Sequence, residues 1–390
     1  MPRTLETRFV GDKSSLFTLA IRLSILTVAT LGFYRFWMKT RLRRWYWSAI
    51  RPGGHPLEYT GNGMEKLLGF LLAVVFLAFY IGVVNLILMF ASFSVFSGAT
   101  PAYALSFLGV IPLVFYARYR ARRYILARTR WRGVRFGLEA GAWRYAGRAV
   151  LYWLAALLTL GVLWPLLTFR LEEFRTNRTW FGTARLHQSG TWKALMLPWM
   201  PCIISVWVSA GIIAYAAVTD DLASMLALLF TVPLAVFFYL RFTVRAFCYL
   251  TSNKHLGPVV RLDAAPRTGR VVRIHLLGNL MVGLTLGFFI LGIGAALSVL
   301  FTLNAMSLGT LAMGLPTWIA AGAGLIGYFS FFVLWDVLRQ VFVRLPLLAH
   351  FAETLKVENA HALADMDQRD RDEMHHAEGF AEALDVGAAL

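Results

Sequence analysis

Two long apolar runs without a charged side chain constrain the fold more than any other feature of the sequence. One run has 51 residues between Lys66 and Arg118, and the other has 62 residues between Arg273 and Asp336. Because a helix needs about 20 apolar residues to cross a bilayer, each run has room for two crossings. Only 15% of all residues are charged, whereas soluble domains have about 25%. The chain is therefore expected to be a membrane protein.

The basic residues are distributed unevenly between the apolar segments. The segments are approximately 15–38, 67–96, 102–117, 149–169, 194–218, 222–240, 274–301 and 315–338. The connectors after the second, fifth and seventh segments contain no Lys or Arg, while the stretch from Arg118 to Arg148 contains ten arginines and one acidic residue. Basic loops stay in the cytoplasm, so this pattern predicts a multi-pass membrane protein with both termini cytoplasmic. The expected partners are anionic lipid headgroups at these loops, and no nucleic acid.

The tripeptide Thr-Leu-Gly occurs in the first, fourth and seventh apolar segments. The first and fourth segments have basic residues on both sides, which conflicts with a simple crossing. Glycine permits a bend, and a threonine hydroxyl can bond to a carbonyl that the bend frees. We interpret the tripeptide as a bend in a segment that re-enters the cytoplasmic face or lies along the interface. The alternative is that all eight segments cross and the tripeptide is a helix-packing notch. The predicted structural bends are Thr30 and Gly32, Thr159 and Gly161, and Thr285 and Gly287.

Each basic loop contains two short runs of Thr, aromatic and β-branched residues separated by glycine, which predicts a β-hairpin. Five hairpins on one face can form a small sheet or barrel, since one hairpin alone is marginally stable. The alternative is a set of separate turns at helix ends. The predicted fold class is an all-α polytopic membrane protein with internal repeats and with β-hairpins in its basic cytoplasmic loops. We expect about six full crossings plus two re-entrant or interfacial segments, or else eight crossings.

The repeats suggest a division of the chain into four parts. The first repeat is 1–143, the second is 144–273, a degenerate third repeat is 274–352, and an acidic cytoplasmic tail is 353–390. The tail has ten acidic and three basic residues and therefore a net charge of −7. Because the net charge of the whole chain is +17, the rest of the chain has a net charge of +24. We hypothesise that the tail docks on the basic loops. The alternative is a solvated tail.

Ionisable residues within apolar segments are the best candidates for contact with a ligand. Arg22 and Arg35 lie on either side of the first bend, and Asp336 precedes Arg339 by three residues in the last segment. All four are candidate contacts for an anionic headgroup or solute. The alternative for the two arginines is that they anchor the segment at the interface. The alternative for Asp336 and Arg339 is a structural ion pair on one helix face.

The sequence contains no recognisable catalytic, cofactor-binding or metal-binding constellation. The neighbouring Glu172 and Glu173 are expected to be solvated loop charge. The adjacent His375 and His376 do not have the spacing of a metal site. We therefore expect a protein without a cofactor and without enzymatic activity.

Several stretches resemble a known family. The segments "TLGFYRFW", "KTRLRRWYW" and "LEYTGNGMEKLLGF" resemble the YjgN-like family of bacterial inner-membrane proteins, and "HHAEGFAEALDVG" resembles its C-terminal end. The likeness covers essentially the whole chain and is strongest over 5–70. Two positions where that family tends to have Asn are Arg22 and Leu154 here, and the third copy lacks the aromatic-basic run after Gly287. The resemblance implies a multi-pass inner-membrane protein, but it supplies no reaction, because the function of the family is unknown.

Two main classes of function remain, with an enzyme as the weakest third. The first is a transporter or channel for a small or anionic solute, which the internal repeats favour. The second is a non-enzymatic membrane scaffold or a protein that interacts with anionic lipid. A transporter requires a solvated cavity walled by more than one repeat, whereas a scaffold requires lipid-facing grooves and a broad cytoplasmic surface. The sequence does not indicate the oligomeric state.

Overall fold

The computed structural model describes residues 3–96, 100–307, 317–364 and 366–368. Its central feature is one antiparallel sheet of ten short strands. The strands are β1 Thr4–Phe9, β2 Ile50–Pro52, β3 Leu57–Tyr59, β4 Thr129–Trp131, β5 Val134–Leu138, β6 Thr179–Phe181, β7 Ala184–Gln188, β8 Lys254–Leu256, β9 Val260–Ala264 and β10 Leu355–Glu358. Neighbouring strands follow the order β2-β1-β10-β9-β8-β7-β6-β5-β4-β3. Since β2 and β3 are consecutive in the chain, the sheet curls into a nearly closed barrel.

Every second connection in the barrel is a long helical insertion, and the others are short turns. The five insertions are residues 10–49, 60–128, 139–178, 189–253 and 265–354. Each insertion joins two antiparallel neighbours in the sheet. All five insertions therefore leave the barrel at the same end, which we call the helix end. The short turns lie at the opposite end, which we call the turn end.

The first and third insertions are short helical hairpins, and the other three are longer. The helices are α1 Lys13–Ala29 and α2 Arg35–Ala49; α3 Gly63–Phe79, α4 Asn85–Phe96 and α5 Thr100–Ala127; α6 Ala142–Leu158 and α7 Trp164–Thr176; α8 Met196–Thr219 and α9 Leu228–Ser252; α10 Thr268–Ser307, α11 Thr317–Arg339 and α12 Leu345–Glu353. Two π-helical segments, Tyr80–Val84 and Gln340–Arg344, join α3 to α4 and α11 to α12. A π-helical turn within an apolar helix changes which face the following turns present.

The helical insertions pack side by side in a ring over the helix end. Helix α2 contacts α3, α5 contacts α6, α7 contacts α8, α9 contacts α10, and α11 contacts α1. The contacts between the first and last insertions include the fully buried Leu16, Leu23 and Val337. The order of the ring is the order of the strands below it, because each insertion starts and ends on adjacent strands.

The lumen of the barrel is filled by apolar side chains rather than by solvent. Trp131 and Phe136 pack against Phe181, with ring centroids 5.8 Å and 4.7 Å apart. Ala360 and Leu363, which follow β10, complete the same buried cluster. A packed lumen holds the short strands in register, since no strand contributes more than two side chains to this cluster.

The segment after β10 closes the turn end of the barrel. Asn359 has a φ of +56° and reverses the chain, and residues 366–368 lie at the hairpin turns. The backbone N–H of Thr183 donates to the carbonyl of Asp367 at 3.1 Å. The backbone N–H of Arg135 donates to Oε1 of Gln368 at 3.0 Å. The start of the predicted acidic tail thus contacts the hairpins, while 369–390 lie outside the described residues.

The predicted all-α class is wrong. The short strands in the basic loops pair with one another and form one ten-stranded sheet. The N-terminal strand β1 and the C-terminal strand β10 pair with each other and complete this sheet. Strands of three to six residues give little signal in a sequence, and their stability comes from pairing across the whole barrel. The division of the chain into three repeats and a tail stays a prediction.

The predicted number of crossings is also wrong. Among the described residues, three helices are long and apolar enough to cross a membrane: Trp192–Thr219, Leu222–Ser252 and Thr268–Ala296. The first and fourth apolar segments, which are expected from the sequence to re-enter or lie along the interface or else to cross, are helical hairpins that return to the helix end of the barrel. An apolar run predicts that a segment avoids water, but it does not determine where the helix within it turns. The connectors at 97–99 and 308–316 lie outside the described residues.

Candidate functional site

The first Thr-Leu-Gly sequence forms the tip of the first insertion. The hydroxyl of Thr30 donates to the carbonyl of Leu26 at 2.8 Å and accepts the backbone N–H of Tyr34 at 2.9 Å. Leu31 and Gly32 have φ values of +53° and +92°. One threonine therefore ends α1 and starts α2, and the two left-handed residues reverse the chain between them.

The second Thr-Leu-Gly sequence repeats this geometry at the tip of the third insertion. The hydroxyl of Thr159 donates to the carbonyl of Ala155 at 2.8 Å and accepts the backbone N–H of Leu163 at 3.2 Å. Leu160 and Gly161 have φ values of +50° and +90°. The two tips thus share one hydrogen-bonding pattern across different surrounding sequences.

Both tips present a strained leucine to the surroundings. Leu31 is 89% exposed and Leu160 is 73% exposed. A left-handed conformation costs a non-glycine residue roughly 1 kcal/mol, so an apolar side chain there has no advantage in a tip that faces water. The geometry suits a tip that is immersed in lipid.

The third Thr-Leu-Gly sequence does not form a bend. Thr285 to Gly287 lie inside the continuous helix α10, and the hydroxyl of Thr285 bonds to the carbonyl of Met281 within that helix at 2.8 Å. At the second tip, by contrast, the indole of Trp199 donates to the carbonyl of Gly161 at 2.9 Å. Neighbouring helices therefore complete the turn, and the tripeptide alone does not impose it.

The threonine hydroxyls at the two tips are expected to stabilise their turns. We expect Thr30→Val and Thr159→Val each to lower the free energy of unfolding by about 1 kcal/mol, since each leaves a backbone N–H without its acceptor. Thr285→Val is the matched control, because its hydroxyl bonds only within a straight helix. Thermal unfolding of the detergent-solubilised protein, followed by tryptophan fluorescence, measures the difference. Equal effects at all three positions would contradict the assigned role.

The four predicted ligand-contact residues do not form one site. Arg22 is exposed on α1, and Arg35 is the first residue of α2. The carboxylate of Asp336 accepts a hydrogen bond from Nε2 of Gln340 at 2.9 Å, and no ion pair joins it to Arg339 within this described part of the chain. Arg339 is exposed at the end of α11 and belongs to a larger set of arginines.

Exposed arginines surround the barrel-proximal parts of the helices, and we call this set the arginine collar. Its members are Arg41, Arg44, Arg118, Arg144, Arg148, Arg170, Arg241, Arg245, Arg267, Arg270, Arg273, Arg339 and Arg344. Each lies 3 to 16 residues from the end of a strand. Farther from the barrel the exposed side chains are large and apolar, among them Phe90, Phe230 and Phe288. The surface therefore changes from basic to apolar with distance from the barrel.

Few carboxylates neutralise the collar. Among the described residues, ion pairs join Arg170 to Glu173 at 2.9 Å and Arg270 to Glu353 at 3.9 Å. Both pairs are partly exposed, so each contributes little to stability. The collar retains most of its positive charge and is available to external anions.

The carboxylate of Glu172 on α7 is the centre of a separate, buried charge cluster at the helix end. Lys254 Nζ lies 2.6 Å from its Oε1 atom, and Arg175 Nη2 lies 2.6 Å from its Oε2 atom. Arg122 Nη2, from α5, lies 3.6 Å from Oε1. Because three cations surround one carboxylate, the cluster has a net charge of about +2.

Burial and the neighbouring charges shift the pKa values of Glu172, Arg175 and Arg122. Burial alone would raise the pKa of the Glu172 carboxyl, but the charges of Arg175, Lys254 and Arg122 hold that pKa well below its usual value. Burial lowers the pKa of Arg175, but the charge of Glu172 and its hydrogen bond to Arg175, together with a smaller contribution from Tyr145, raise that pKa above its ordinary value. The attraction of Glu172 for Arg122 is outweighed by burial and by repulsion from Arg175, so the pKa of Arg122 is lowered. The positive charge of Arg175 therefore lowers the pKa of its neighbour Arg122 within the cluster.

A second group of cations lies around Glu65, at the start of α3, and the ring of Tyr59. Arg128 Nη2 is 2.8 Å from a Glu65 carboxylate oxygen. Arg43 is 7% exposed, and its guanidinium lies 5.3 Å from the ring centroid of Tyr59. Lys66 Nζ lies 5.9 Å from the same centroid. Arg43 follows the threonine of the first tip by 13 residues, as Glu172 follows that of the second.

The sequence interpretation of Glu172 as solvated loop charge is wrong. Glu172 is 9% exposed, because α5 and β8 cover the inner face of α7. A signal was present in the spacing, since Arg175 follows Glu172 by three residues and pairs with it on one helix face. The other two partners are distant in the chain, and no local pattern identifies them. His375 and His376 lie outside the described residues.

Fold and site together define a protein with a ten-stranded barrel at the base of its helices, three of which, among the described residues, are long and apolar enough to cross a membrane. A family model described as "Bacterial protein of unknown function (DUF898)" matches residues 4–383. The chain belongs to this family, which is also called YjgN-like, and the resemblance seen in the sequence is confirmed. Comparisons with curated proteins and with solved structures find no significant match in either.

Proposed function

We propose that this protein is a non-enzymatic membrane protein that holds its barrel against an anionic membrane surface through the arginine collar. The single observation that carries the proposal is the position of the collar, between the barrel and the exposed apolar parts of the helices. Arginine side chains at such a boundary reach the headgroup layer while the apolar helices enter the hydrocarbon. Anionic lipid then neutralises the collar.

The topology of the barrel supports this arrangement. Since all five insertions leave from one end, a single membrane plane accommodates every helix, and the barrel remains on one side of it. We propose that this side is the cytoplasm of a bacterium with the protein in its inner membrane. Strand β1 begins at the turn end and strand β10 ends there, so the proposal places the start of β1 and the end of β10 in the cytoplasm. The strained leucines at the two short tips are then partly inserted into the same leaflet.

The packed lumen favours lipid interaction over transport. Trp131, Phe136 and Phe181 occupy the inside of the barrel, and the segment after β10 covers its turn end. Conduction along the barrel axis would require these side chains to leave the lumen. A surface function needs no such rearrangement.

The test compares how closely two lipids approach the protein. We would reconstitute the full chain in vesicles with brominated phosphatidylglycerol or brominated phosphatidylcholine and measure the quenching of tryptophan fluorescence. We expect stronger quenching by the anionic lipid at low salt and a smaller difference at high salt, because salt screens the collar. Equal quenching by both lipids at low salt would contradict the proposal.

Neutralising part of the collar should reduce the preference for the anionic lipid. Arg241 and Arg245 are exposed on α9, and each arginine near a membrane surface contributes about 1 kcal/mol to its attraction. We therefore expect the double variant Arg241→Gln, Arg245→Gln to lower the anionic preference severalfold. Arg261→Gln is the control, since Arg261 is exposed on strand β9 of the barrel wall. An equal effect of both changes would indicate overall charge rather than the collar.

A further inference from the structure

The cluster around Glu172 holds more positive charge than the protein neutralises. Glu172 takes its two shortest contacts from Lys254 and Arg175, both at 2.6 Å. Arg122 stays at 3.6 Å, beyond hydrogen-bonding distance, and it faces Glu172 as a third cation. Burying uncompensated charge is unfavourable, so a cluster of this kind is stabilised when an external anion joins it.

The two arginines of the cluster still have donors to offer. The Nε atom of Arg175 is buried and has no hydrogen-bond partner among the described residues. The side chain of Arg122 is 34% exposed and that of Arg175 is 28% exposed. Both guanidinium groups are therefore anchored near one carboxylate and still accessible to a small ligand.

No second carboxylate acts on these arginines among the groups identified around them. Among the described residues, Glu172 is the carboxylate that lies within ion-pair distance of Arg122 and Arg175. The nearby Glu173 is paired with Arg170. The protein itself thus leaves a charge of about +2 to be balanced.

We propose that this cluster binds a phosphate-class anion between Arg122 and Arg175. Two guanidinium groups offer planar pairs of N–H donors that match phosphate oxygens, and a doubly charged phosphate group would balance the excess charge. Glu172 has a positioning role, since it holds Lys254 and Arg175 in place from the opposite side. The proposal is independent of lipid binding by the collar, because the collar residues are exposed and none belongs to the cluster.

The phosphate group can come from solution or from a lipid headgroup, and two experiments distinguish these sources. In the first, inorganic phosphate is titrated into the full-length protein in a neutral detergent, and calorimetry measures binding against chloride of equal ionic strength. In the second, the protein is placed in nanodiscs with or without phosphatidic acid, and native mass spectrometry counts retained lipid. Binding in the first alone assigns a soluble ligand, and retention in the second alone assigns a headgroup. The absence of binding in both would overturn the proposal.

Variants at Arg122 identify the site. We expect Arg122→Gln to weaken the observed binding about tenfold or more, since it removes one charge and one donor pair from the anion. Arg122→Lys should weaken it less, because it keeps the charge and loses the planar donors. Glu172 remains neutralised by Arg175 and Lys254 in both variants, so both should fold. The control is Arg261→Gln, for which we expect unchanged binding.

Two results would contradict the assignment to this cluster. The first is an affinity of the Arg122→Gln variant equal to that of the unchanged protein, when tryptophan fluorescence shows that both proteins are folded. The second is an equal loss with Arg261→Gln, which would indicate attraction to overall charge. Because Arg122→Lys preserves the charge, an intermediate affinity for that variant separates direct contact from a general loss of structure.

Discussion

The change Glu172→Gln is expected to lower the free energy of unfolding by about 3 kcal/mol at pH 7. Removing the carboxylate leaves Arg122, Arg175 and Lys254 in a buried position with no opposing charge, and breaking a buried ion pair from one side costs about 3–5 kcal/mol. The value should fall at the lower end, because water still reaches the two arginines. Thermal unfolding in detergent, followed by tryptophan fluorescence, measures the loss.

The adjacent Glu173 offers a matched control for this change. Glu173 pairs with Arg170 at 2.9 Å, and both side chains are partly exposed. We expect Glu173→Gln to change the free energy of unfolding by less than about 0.5 kcal/mol. Losses of similar size for the two variants would show that the cluster around Glu172 has no special role in stability.

The effect of Glu172→Gln should also depend on pH. Because the folded protein depresses the pKa of Glu172, its contribution to stability is fully present above the ordinary value of 4.5 and is lost as the pH falls through the folded value. The groups that face Glu172 are Arg122, Arg175 and Lys254. The difference between the native protein and the variant should therefore be constant from pH 8 to about 5 and shrink below about 4.5. A difference that persists unchanged in acid would contradict this reading.

Truncation after Glu358 is expected to destabilise the barrel by about 3–6 kcal/mol. The deletion removes Ala360 and Leu363 from the buried lumen, and burial of one large aliphatic side chain contributes about 1.5–3 kcal/mol. It also removes the acceptors for the backbone N–H groups of Arg135 and Thr183. The midpoint of thermal unfolding in detergent measures the change.

Truncation after Gln368 is the control for the role of the closing segment. It keeps every contact described above and removes most of the acidic residues of the tail. We expect its unfolding midpoint to match that of the whole chain. Similar destabilisation by both truncations would assign the effect to the acidic tail, and no destabilisation by either would show that residues 359–368 do not stabilise the lumen.

The two short insertions show how much of a turn can be predicted from the residues that form it. A threonine that serves two helix ends, followed by leucine and glycine, accounts for the turns at Gly32 and Gly161. The same three residues lie in a straight helix around Leu286. The difference arises from the surroundings, because a helix reverses only where a second helix packs beside the first and where neighbours such as Trp199 bind the exposed carbonyls.

The cluster around Glu172 depends on contacts that cannot be predicted from neighbouring residues in the sequence. Its partner Lys254 is 82 residues away along the chain and reaches the site only through the pairing of β7 with β8. Arg122 arrives from the other side, since α5 packs against α6 of the next insertion. In the sequence, Glu172 has a neighbouring acid and lies near basic residues, which is also the pattern of solvated charge. Burial decides between the two, and burial is a property of the assembled ring of helices.

The amino-acid sequence by itself indicated helices apolar enough for a membrane, the uneven distribution of the basic residues, and the family to which the chain belongs. These properties depend on composition and on motifs, which are additive along the chain. The tertiary structure decided that the short strands form one barrel, that the first and fourth apolar segments return to it, and that Glu172 is buried among cations. These depend on contacts between residues far apart in the chain, whose free energy appears only when all five insertions and ten strands are assembled.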